Sequence, residues 1–283
     1  MVDVPSAWEH YAVPAFAHQW ATDLVQEYVE PGDRVLDVAC GTGIVARCAR
    51  HHMDLRGHVV GIDIDPDKIE LARLCEPVAV EWHVCDAARM PFRPGGFDVV
   101  LCQQGFQHIG YKAIALREMR RVMQEGGRLA LTVWRSTEVM PVYAAIEATI
   151  RDIIDDEQFR LPPFAMDDPE ELRRFVEEAG FLEVELLRET KTTRLESWSH
   201  FLNIALDAYR GLFGPVHEFD EVQRGRIMVA ARDVLREFSD AETGVVEFPQ
   251  SSHLVIAKCP PPPPPMDEAE IEEKVRIAIA ALR

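Results

Sequence analysis

The chain has 283 residues, of which 48 are acidic and 30 basic, so its formal net charge is −18. This length, with 47% hydrophobic and 28% charged residues, predicts one large globular domain or one domain with insertions, and excludes a disordered or fibrous chain. The acidic balance argues against nucleic-acid binding, and no apolar run reaches the roughly 18–20 residues of a membrane span. The N-terminus lacks the features of a secretory signal, so we predict a cytoplasmic protein with six free thiols and no metal site.

The first half of the chain alternates short apolar runs with helical stretches. Predicted strands are residues 34–39, 59–63, 78–84, 97–102 and 128–134; predicted helices are 14–29, 44–51, 66–75 and 112–123; predicted turns are 31–33 and 126–127. This alternation indicates βαβ units and a parallel sheet that is covered on both faces. Ligands of such sheets bind beyond the carboxyl ends of the strands, so we expect the site at residues 37–43, 63–65, 85–88 and 102–108.

The second half is less regular. Helices are predicted at 139–157, 168–179, 197–213 and 217–238, and strands at 184–195 and 244–257. The expected fold is α/β: a doubly wound, mostly parallel, seven-stranded Rossmann-like sheet with helical lid insertions. We predict an N-terminal helical cap (1–29), a ligand-binding domain (30–258) with insertions at about 136–166 and 196–240, a polyproline linker (259–266) and a C-terminal amphipathic helix (267–283). That helix could dock on its own domain, pair with another subunit or remain free, and a homodimer could form through the lid or through this helix.

The strongest motif is Asp37-Val-Ala-Cys-Gly-Thr-Gly43, which follows the first predicted strand and precedes a helix. Glycines let a ligand approach the backbone closely, and the start of a helix offers unpaired N–H groups. Taken alone, Gly41 to Ala46 also fits the dinucleotide pattern G-x-G-x-x-A, which would indicate an NAD-dependent oxidoreductase. Asp37 argues against that function, because its carboxylate would repel a pyrophosphate but could accept a hydrogen bond from an ammonium group.

Two more carboxylates follow the next two predicted strands. Asp63 could accept both hydroxyls of a ribose, or instead cap the following helix. Asp86 could accept from an adenine amino group, or simply form a turn. Their positions at successive strand ends favour ligand contacts for both.

The loop after the fourth predicted strand, Gln103 to His108, is expected at the reaction face. Gln103 is a candidate contact to the ligand. His108 is the nearby side chain whose ordinary pKa lies close to neutrality, which makes it the candidate catalytic residue. It could act as a general base, bind the substrate without taking a proton, or merely pack against the loop.

These motifs, in this order, resemble those of the class I S-adenosylmethionine (SAM)-dependent methyltransferases, in their ubiquinone/menaquinone-type, small-molecule branch. The resemblance rests on residues 37–43, 63–64, 86–87, 97–103 and 116–131; it is strong over about 30–135 and loose over 168–257. It implies SAM as cofactor, bound by Asp37, Ala39, Cys40, Gly41, Gly43, Asp63, Ile64, Asp86, Ala87 and Gln103. The sequence departs from the family at Ala39, where many members have glycine.

The resemblance implies in-line transfer of a methyl group to a small-molecule acceptor. Aromatic residues concentrate at the N-terminus (Trp8, Tyr11, Phe16 and Trp20) and again between 198 and 213, which predicts an apolar lid. Such a lid suits a hydrophobic or aromatic acceptor. Tyr11 and Trp20 are also candidate faces for the cationic sulfonium. A SAM-fold protein that catalyses another reaction, such as cyclisation or decarboxylation, would carry the same motifs and remains the alternative.

Overall fold

A computed structural model describes residues 4–54, 56–197 and 219–261. Its strands are β1 (Arg34–Val38), β2 (His58–Asp63), β3 (Glu81–Val84), β4 (Phe97–Gln103), β5 (Met123–Trp134), β6 (Leu182–Leu195) and β7 (Val246–Lys258). They form one seven-stranded sheet in the order β3-β2-β1-β4-β5-β7-β6. The first five strands pair in parallel, and β7 is antiparallel to both β5 and β6. The predicted α/β fold with a mostly parallel sheet is confirmed.

Helices cover both faces of this sheet. They are α1 (Val4–Ala7), α2 (His18–Tyr28), α3 (Ile44–His52), α4 (Pro66–Cys75), α5 (Lys112–Val122), α6 (Pro141–Ile154), α7 (Pro169–Glu178) and α8 (Glu221–Leu235). Two separate hydrophobic clusters result: one includes buried residues of α2, α3, α6 and α8, and the other those of α5 and α7. Alternate side chains of each central strand enter opposite clusters, which explains why these strands are apolar throughout.

Two strands differ from their predicted bounds by three residues or more. The third begins at Glu81 rather than at residue 78, and Val78 is 88% exposed, because β3 is an edge strand with no neighbour to pair that segment. The predicted turn at Gly126-Gly127 lies inside β5 as an irregularity. Gly126 bends the strand with φ +72°, and its N–H donates to Cys259 O at 3.0 Å. A local turn pattern was thus absorbed by pairing with neighbouring strands.

The N-terminal helix starts earlier than predicted. A π-helical stretch, Trp8–Ala17, joins α1 to α2 and contains Pro14, whose missing N–H removes one bond from the ladder. The end of this cap is tied to the sheet through Trp20, which is buried against Trp134 at a ring-centroid distance of 5.7 Å. Lys191 of β6 lies 4.6 Å from the Trp20 ring centroid and pairs with Asp23.

Three predicted features fall outside the described residues: the helix at 197–213 with its aromatic cluster, most of the polyproline linker, and the C-terminal amphipathic helix. The later part of the second insertion is described and contains α8. Within the described ranges, no helix has both the length and the apolar character that crossing a bilayer requires.

Candidate functional site

A cavity of about 600 Å³ opens at the carboxyl ends of β1, β2 and β4, where ligand sites of parallel sheets form. This volume lies within the usual range for small-molecule sites. Ten of the predicted site residues line it: Asp37, Ala39, Cys40, Gly41, Asp63, Ile64, Asp86, Ala87, Gln103 and His108. The sheet gathers them because Asp37 is the register partner of both Gly61 and Leu101, two residues before Asp63 and Gln103 respectively.

The loop from Ala39 to Gly43 passes through left-handed backbone conformations. The φ angles are +55° at Ala39, +57° at Gly41 and +88° at Gly43. The N–H of Gly41 donates to Asp63 Oδ2 at 2.9 Å, so the loop is held against the end of β2. A Cβ at Gly41 would have no atom within 4 Å, so this glycine leaves its backbone open to a ligand.

Gly43 packs against a buried tryptophan. It does not belong to the cavity wall, and a Cβ at this position would lie 2.2 Å from the Trp82 ring. Gly61 meets the same ring, with a Cβ distance of 2.4 Å. The motif therefore combines one glycine that faces the cavity with one that admits a buried tryptophan behind the loop.

Ala39 adopts a conformation that favours glycine. Its methyl group also occupies space beside Gly105, where a Cβ would lie 2.6 Å from that of Ala39. The family's usual glycine at this position is thus explained by backbone conformation. The alanine places a small apolar group in the wall instead.

Ala39→Gly is expected to stabilise the protein by about 0.5–1 kcal/mol, since relief of left-handed strain exceeds the added chain entropy. Chemical denaturation would measure this difference. Ala46→Gly is the matched control, because Ala46 lies buried inside α3 and glycine there should destabilise. A destabilised Ala39→Gly variant would contradict the strain argument.

Asp37 is 1% exposed and only partly satisfied. Its Oδ2 accepts from the N–H of Ala46 at 3.0 Å, while its Oδ1 has no hydrogen-bond partner. Burial, reinforced by the nearby charge of Asp63, raises the Asp37 pKa to about 8, against the opposing bond from Ala46. A buried carboxylate with one free acceptor atom is suited to a cationic hydrogen-bond donor.

The other two carboxylates are held by backbone donors. Asp63 accepts from Gly41 N through Oδ2 and from Asp65 N through Oδ1, at 2.9 and 3.0 Å. Asp86 accepts from Ala88 N at 2.8 Å and lies at the exposed edge of the cavity. Helix capping, the other function considered for Asp63, is performed by Asp65, whose Oδ1 accepts from Asp67 N at 3.0 Å.

The end of β4 and the loop after it contribute two side chains to the cavity: the amide of Gln103, whose oxygen has no partner, and the uncharged imidazole of His108. The Nε2 of Gln103 donates to Ala17 O at 3.0 Å, and its buried Oε1 has no partner. The His108 ring lines the cavity, and no described residue hydrogen-bonds it. His108 is exposed at the mouth of the cavity, but the cavity wall removes part of the water around its ring, and this loss, with the charges of Lys68 and Lys112, lowers the His108 pKa to about 4. His108 is therefore neutral at pH 7.

The roof of the cavity, which we call the roof segment, is residues 5–17. Pro5, Trp8, Phe16 and Ala17 line the cavity, and Trp134 of β5 joins them. Tyr11 and Trp20, predicted as aromatic faces, are not in the wall; Trp20 is committed to the core and to Lys191. The helical repeat alone could not separate the cavity-facing aromatics from the core-facing ones.

Sequence reasoning missed one attachment of this roof. Glu9 Oε2 accepts from Thr42 Oγ1 at 2.6 Å, and Glu9 Oε1 pairs with Arg47 Nη2 at 2.6 Å. Glu9 is the only acidic residue between Val4 and Thr22, which in retrospect marks it as unusual. Its partners lie 33 and 38 residues away in sequence, so local patterns could not reveal them.

Comparisons with known proteins agree with this geometry. Residues 36–131 match the family model described as "Methyltransferase domain". The chain is 36% identical over 132 residues to the ubiquinone/menaquinone biosynthesis C-methyltransferase UbiE of Burkholderia vietnamiensis, a match that covers 46% of this chain and 52% of that protein. The chain therefore spans about half the length of this curated relative.

Two solved structures share the fold. Phosphoethanolamine N-methyltransferase 2 of Haemonchus contortus, solved with S-adenosylhomocysteine, aligns with a TM-score of 0.57 and 17% identity, over 90% of this chain and 57% of that one. The [4+2]-cyclase SpnF aligns with a TM-score of 0.54 and 22% identity, over 87% and 82%. At these identities they show the fold alone, and the fold accommodates both kinds of chemistry.

Residues 36–131 thus match a methyltransferase domain and lie within a fold that these solved structures share. The similarity to a ubiquinone/menaquinone-type C-methyltransferase agrees with the resemblance that the sequence motifs carry.

Proposed function

We propose that this protein binds SAM and transfers its methyl group to a hydrophobic or aromatic small molecule. The observation that carries the proposal is a pair of orphaned acceptor atoms at the cavity, Asp37 Oδ1 and Gln103 Oε1. The amide oxygen of Gln103 and the ionised carboxylate of Asp37 can only accept hydrogen bonds, and a cationic donor beside Asp37 favours its ionised form. The α-ammonium group of SAM is a donor of the required kind, whereas a pyrophosphate offers only acceptors.

The rest of the cavity fits the remaining parts of the cofactor. Gly41 leaves open space along its backbone, in which a Cβ would otherwise stand. Asp63 retains further acceptor capacity for ribose hydroxyls after its two backbone bonds. Ile64, which is 69% exposed beside the cavity, offers an apolar surface for adenine, and Asp86 offers an acceptor for its amino group.

When bound, SAM supplies an activated sulfonium methyl, which passes to an acceptor nucleophile and leaves S-adenosylhomocysteine. The protein contributes mainly by positioning the reactants and excluding water. Trp8, Phe16 and Trp134 supply aromatic surface, which favours a cation and an apolar acceptor. A neutral His108 adds no positive charge beside the sulfonium, and it can donate or accept one hydrogen bond with the acceptor.

This function is tested by thermal unfolding with SAM, S-adenosylhomocysteine and NAD(H), each alone. A ligand at about 100 times its dissociation constant stabilises a fold by about 2.7 kcal/mol, so a shift of several degrees is expected with SAM and its product. A shift with NAD(H) alone would overturn the proposal. Release of S-adenosylhomocysteine in the presence of apolar acceptors then separates methyl transfer from the alternative of a SAM-fold protein with other chemistry.

His108 is expected to remain neutral from pH 7 down to about pH 5, since its pKa is lowered to about 4. This supports a role for His108 in binding the methyl acceptor rather than in strong general-base catalysis, because a base of such low pKa holds protons poorly. NMR titration of the ten histidines, with His108→Gln for assignment, measures this pKa directly. Titration of His108 near 6.5 would refute the assignment.

The same shift predicts an effect on acid stability. An unfolded histidine takes up a proton below pH 6.5, whereas folded His108 resists protonation until about pH 4. Stability is therefore lost as the pH falls through this interval. His108→Gln should reduce the loss, as measured by urea denaturation at pH 5 and pH 7.

A cytoplasmic location and dimerisation remain predictions from the sequence.

A further inference from the structure

We propose that Glu9 is a positioning residue that latches the roof segment to the glycine loop and so slows release of the bound cofactor. This inference rests on the proposed function and concerns the same site. Neither the methyltransferase motifs nor the matched domain, residues 36–131, includes Glu9.

The latch is a closed set of three hydrogen bonds. Glu9 accepts from Thr42 Oγ1 and from Arg47 Nη2, each at 2.6 Å. Arg47 Nη1 in turn donates to Thr42 O at 3.2 Å. Thr42 is 1% exposed, and the Arg47 and Glu9 side chains are 13% and 25% exposed. Charge-assisted bonds with so little solvent around them are stronger than surface ion pairs.

The partner on the loop is Thr42, which stands between the two glycines in left-handed conformations. Gly41, immediately before it, is the residue whose backbone faces the cavity. A force on the Thr42 hydroxyl therefore acts on the loop that contacts the cofactor. Because the Glu9 carboxylate that accepts from this hydroxyl belongs to the roof segment, the hydrogen bond connects the loop to the roof segment.

A second attachment fixes the far end of the roof. Gln103 Nε2 donates to Ala17 O, and Gln103 belongs to the end of β4. The two cavity-lining aromatics of the segment, Trp8 and Phe16, lie between or beside these attachments and contact each other with ring centroids 5.8 Å apart. Loss of the Glu9 attachment would remove the bond between this wall and the Thr42 hydroxyl of the glycine loop.

Removal of the carboxylate would also leave the Thr42 hydroxyl and Arg47 Nη2 without the acceptor that they share in a mostly buried place, while Arg47 Nη1 would keep its bond to Thr42 O. We expect both to seek water, which loosens the loop and the roof together. The result is faster dissociation of S-adenosylhomocysteine and SAM. The association rate should change less, because affinity differences among variants of one site appear mostly in dissociation.

The experiment is stopped-flow measurement of S-adenosylhomocysteine dissociation, followed by tryptophan fluorescence, on wild type, Glu9→Gln, Thr42→Val and the double variant. Each single variant should dissociate about tenfold faster, as expected for loss of one charge-assisted bond. The double variant should be little faster than either single one, because both break the same contact. Thr42→Ser keeps the hydroxyl and should restore the slow rate.

Glu27→Gln is the matched control, since Glu27 is an exposed glutamate of α2 in the same N-terminal cap. It should leave the dissociation rate unchanged. Melting temperatures without ligand separate general destabilisation from the latch, and the Thr42→Val and Thr42→Ser pair decides the matter if Glu9→Gln does not fold.

Additive effects in the double variant, or wild-type dissociation rates in both single variants, would overturn the latch. A wild-type protein that binds neither SAM nor S-adenosylhomocysteine would instead overturn the proposed function. The two failures are therefore distinguishable.

Discussion

An Asp37→Asn variant is expected to lose most of its affinity for SAM while becoming more stable than the wild type at pH 8. The affinity falls because the amide cannot attract an ammonium group as a carboxylate does. Loss of such a charged hydrogen bond costs about 1.5–3 kcal/mol of binding free energy, which raises the dissociation constant roughly 10- to 100-fold. Isothermal titration calorimetry measures this change.

The gain in stability follows from the raised pKa of Asp37. Its folded-state pKa is about 8, against an ordinary value of 3.8, so the unfolded chain ionises this group more readily than the folded one does. The stabilising effect of the protonated group is therefore complete below pH 3.8 and is lost as the pH rises to about 8. Asparagine does not titrate, so its advantage grows with pH, by at most about 1.4 kcal/mol per pH unit.

Asp63→Asn provides a control of opposite sign. Asp63 accepts from two backbone N–H groups, one at each oxygen, and an amide can satisfy only one of them. The Asp63→Asn substitution should also weaken SAM binding, but it should destabilise the ligand-free protein by about 1–3 kcal/mol. Denaturation of both variants between pH 5 and pH 8 tests the pair. If Asp37→Asn gained no stability relative to the wild type as the pH rises, the raised pKa of the buried Asp37 carboxyl would be refuted.

The second large effect concerns the two glycines of the loop, which alanine should affect in different ways. In Gly43→Ala the new methyl group would meet the Trp82 ring at 2.2 Å, on a backbone with φ +88°. Strain and overpacking together should destabilise the fold by about 2–5 kcal/mol. Chemical denaturation without ligand measures this loss.

Gly41→Ala should destabilise the fold by only about 1–2 kcal/mol, since the cost is backbone strain alone. Its methyl group has no neighbour within 4 Å and projects into open space beside the cavity. The free energy of SAM binding should therefore fall by more than the free energy of unfolding does. Equal losses of stability in the two variants would contradict the proposal that Gly43 makes room for Trp82 while Gly41 leaves its backbone open to the cavity.

The sequence was most informative where a function depends on short spacing. Asp37, Gly41, Asp63 and Gln103 each lie at or just beyond the end of a predicted strand, and parallel pairing brings such ends to one edge of a sheet. Their common location could therefore be predicted before any contact was known. The apolar strands and capped helices similarly predicted the α/β class.

Local periodicity and the geometry of parallel sheets were enough to predict the succession of strands and helices along the chain, the edge of the sheet that forms the cavity and ten residues of its wall. Three features became visible in the folded protein alone: which aromatics face the cavity, that Gly43 accommodates Trp82, and that Glu9 holds Thr42 and Arg47. Each of these depends on residues brought together from distant parts of the chain. Their meeting is set by packing, which a local pattern does not encode.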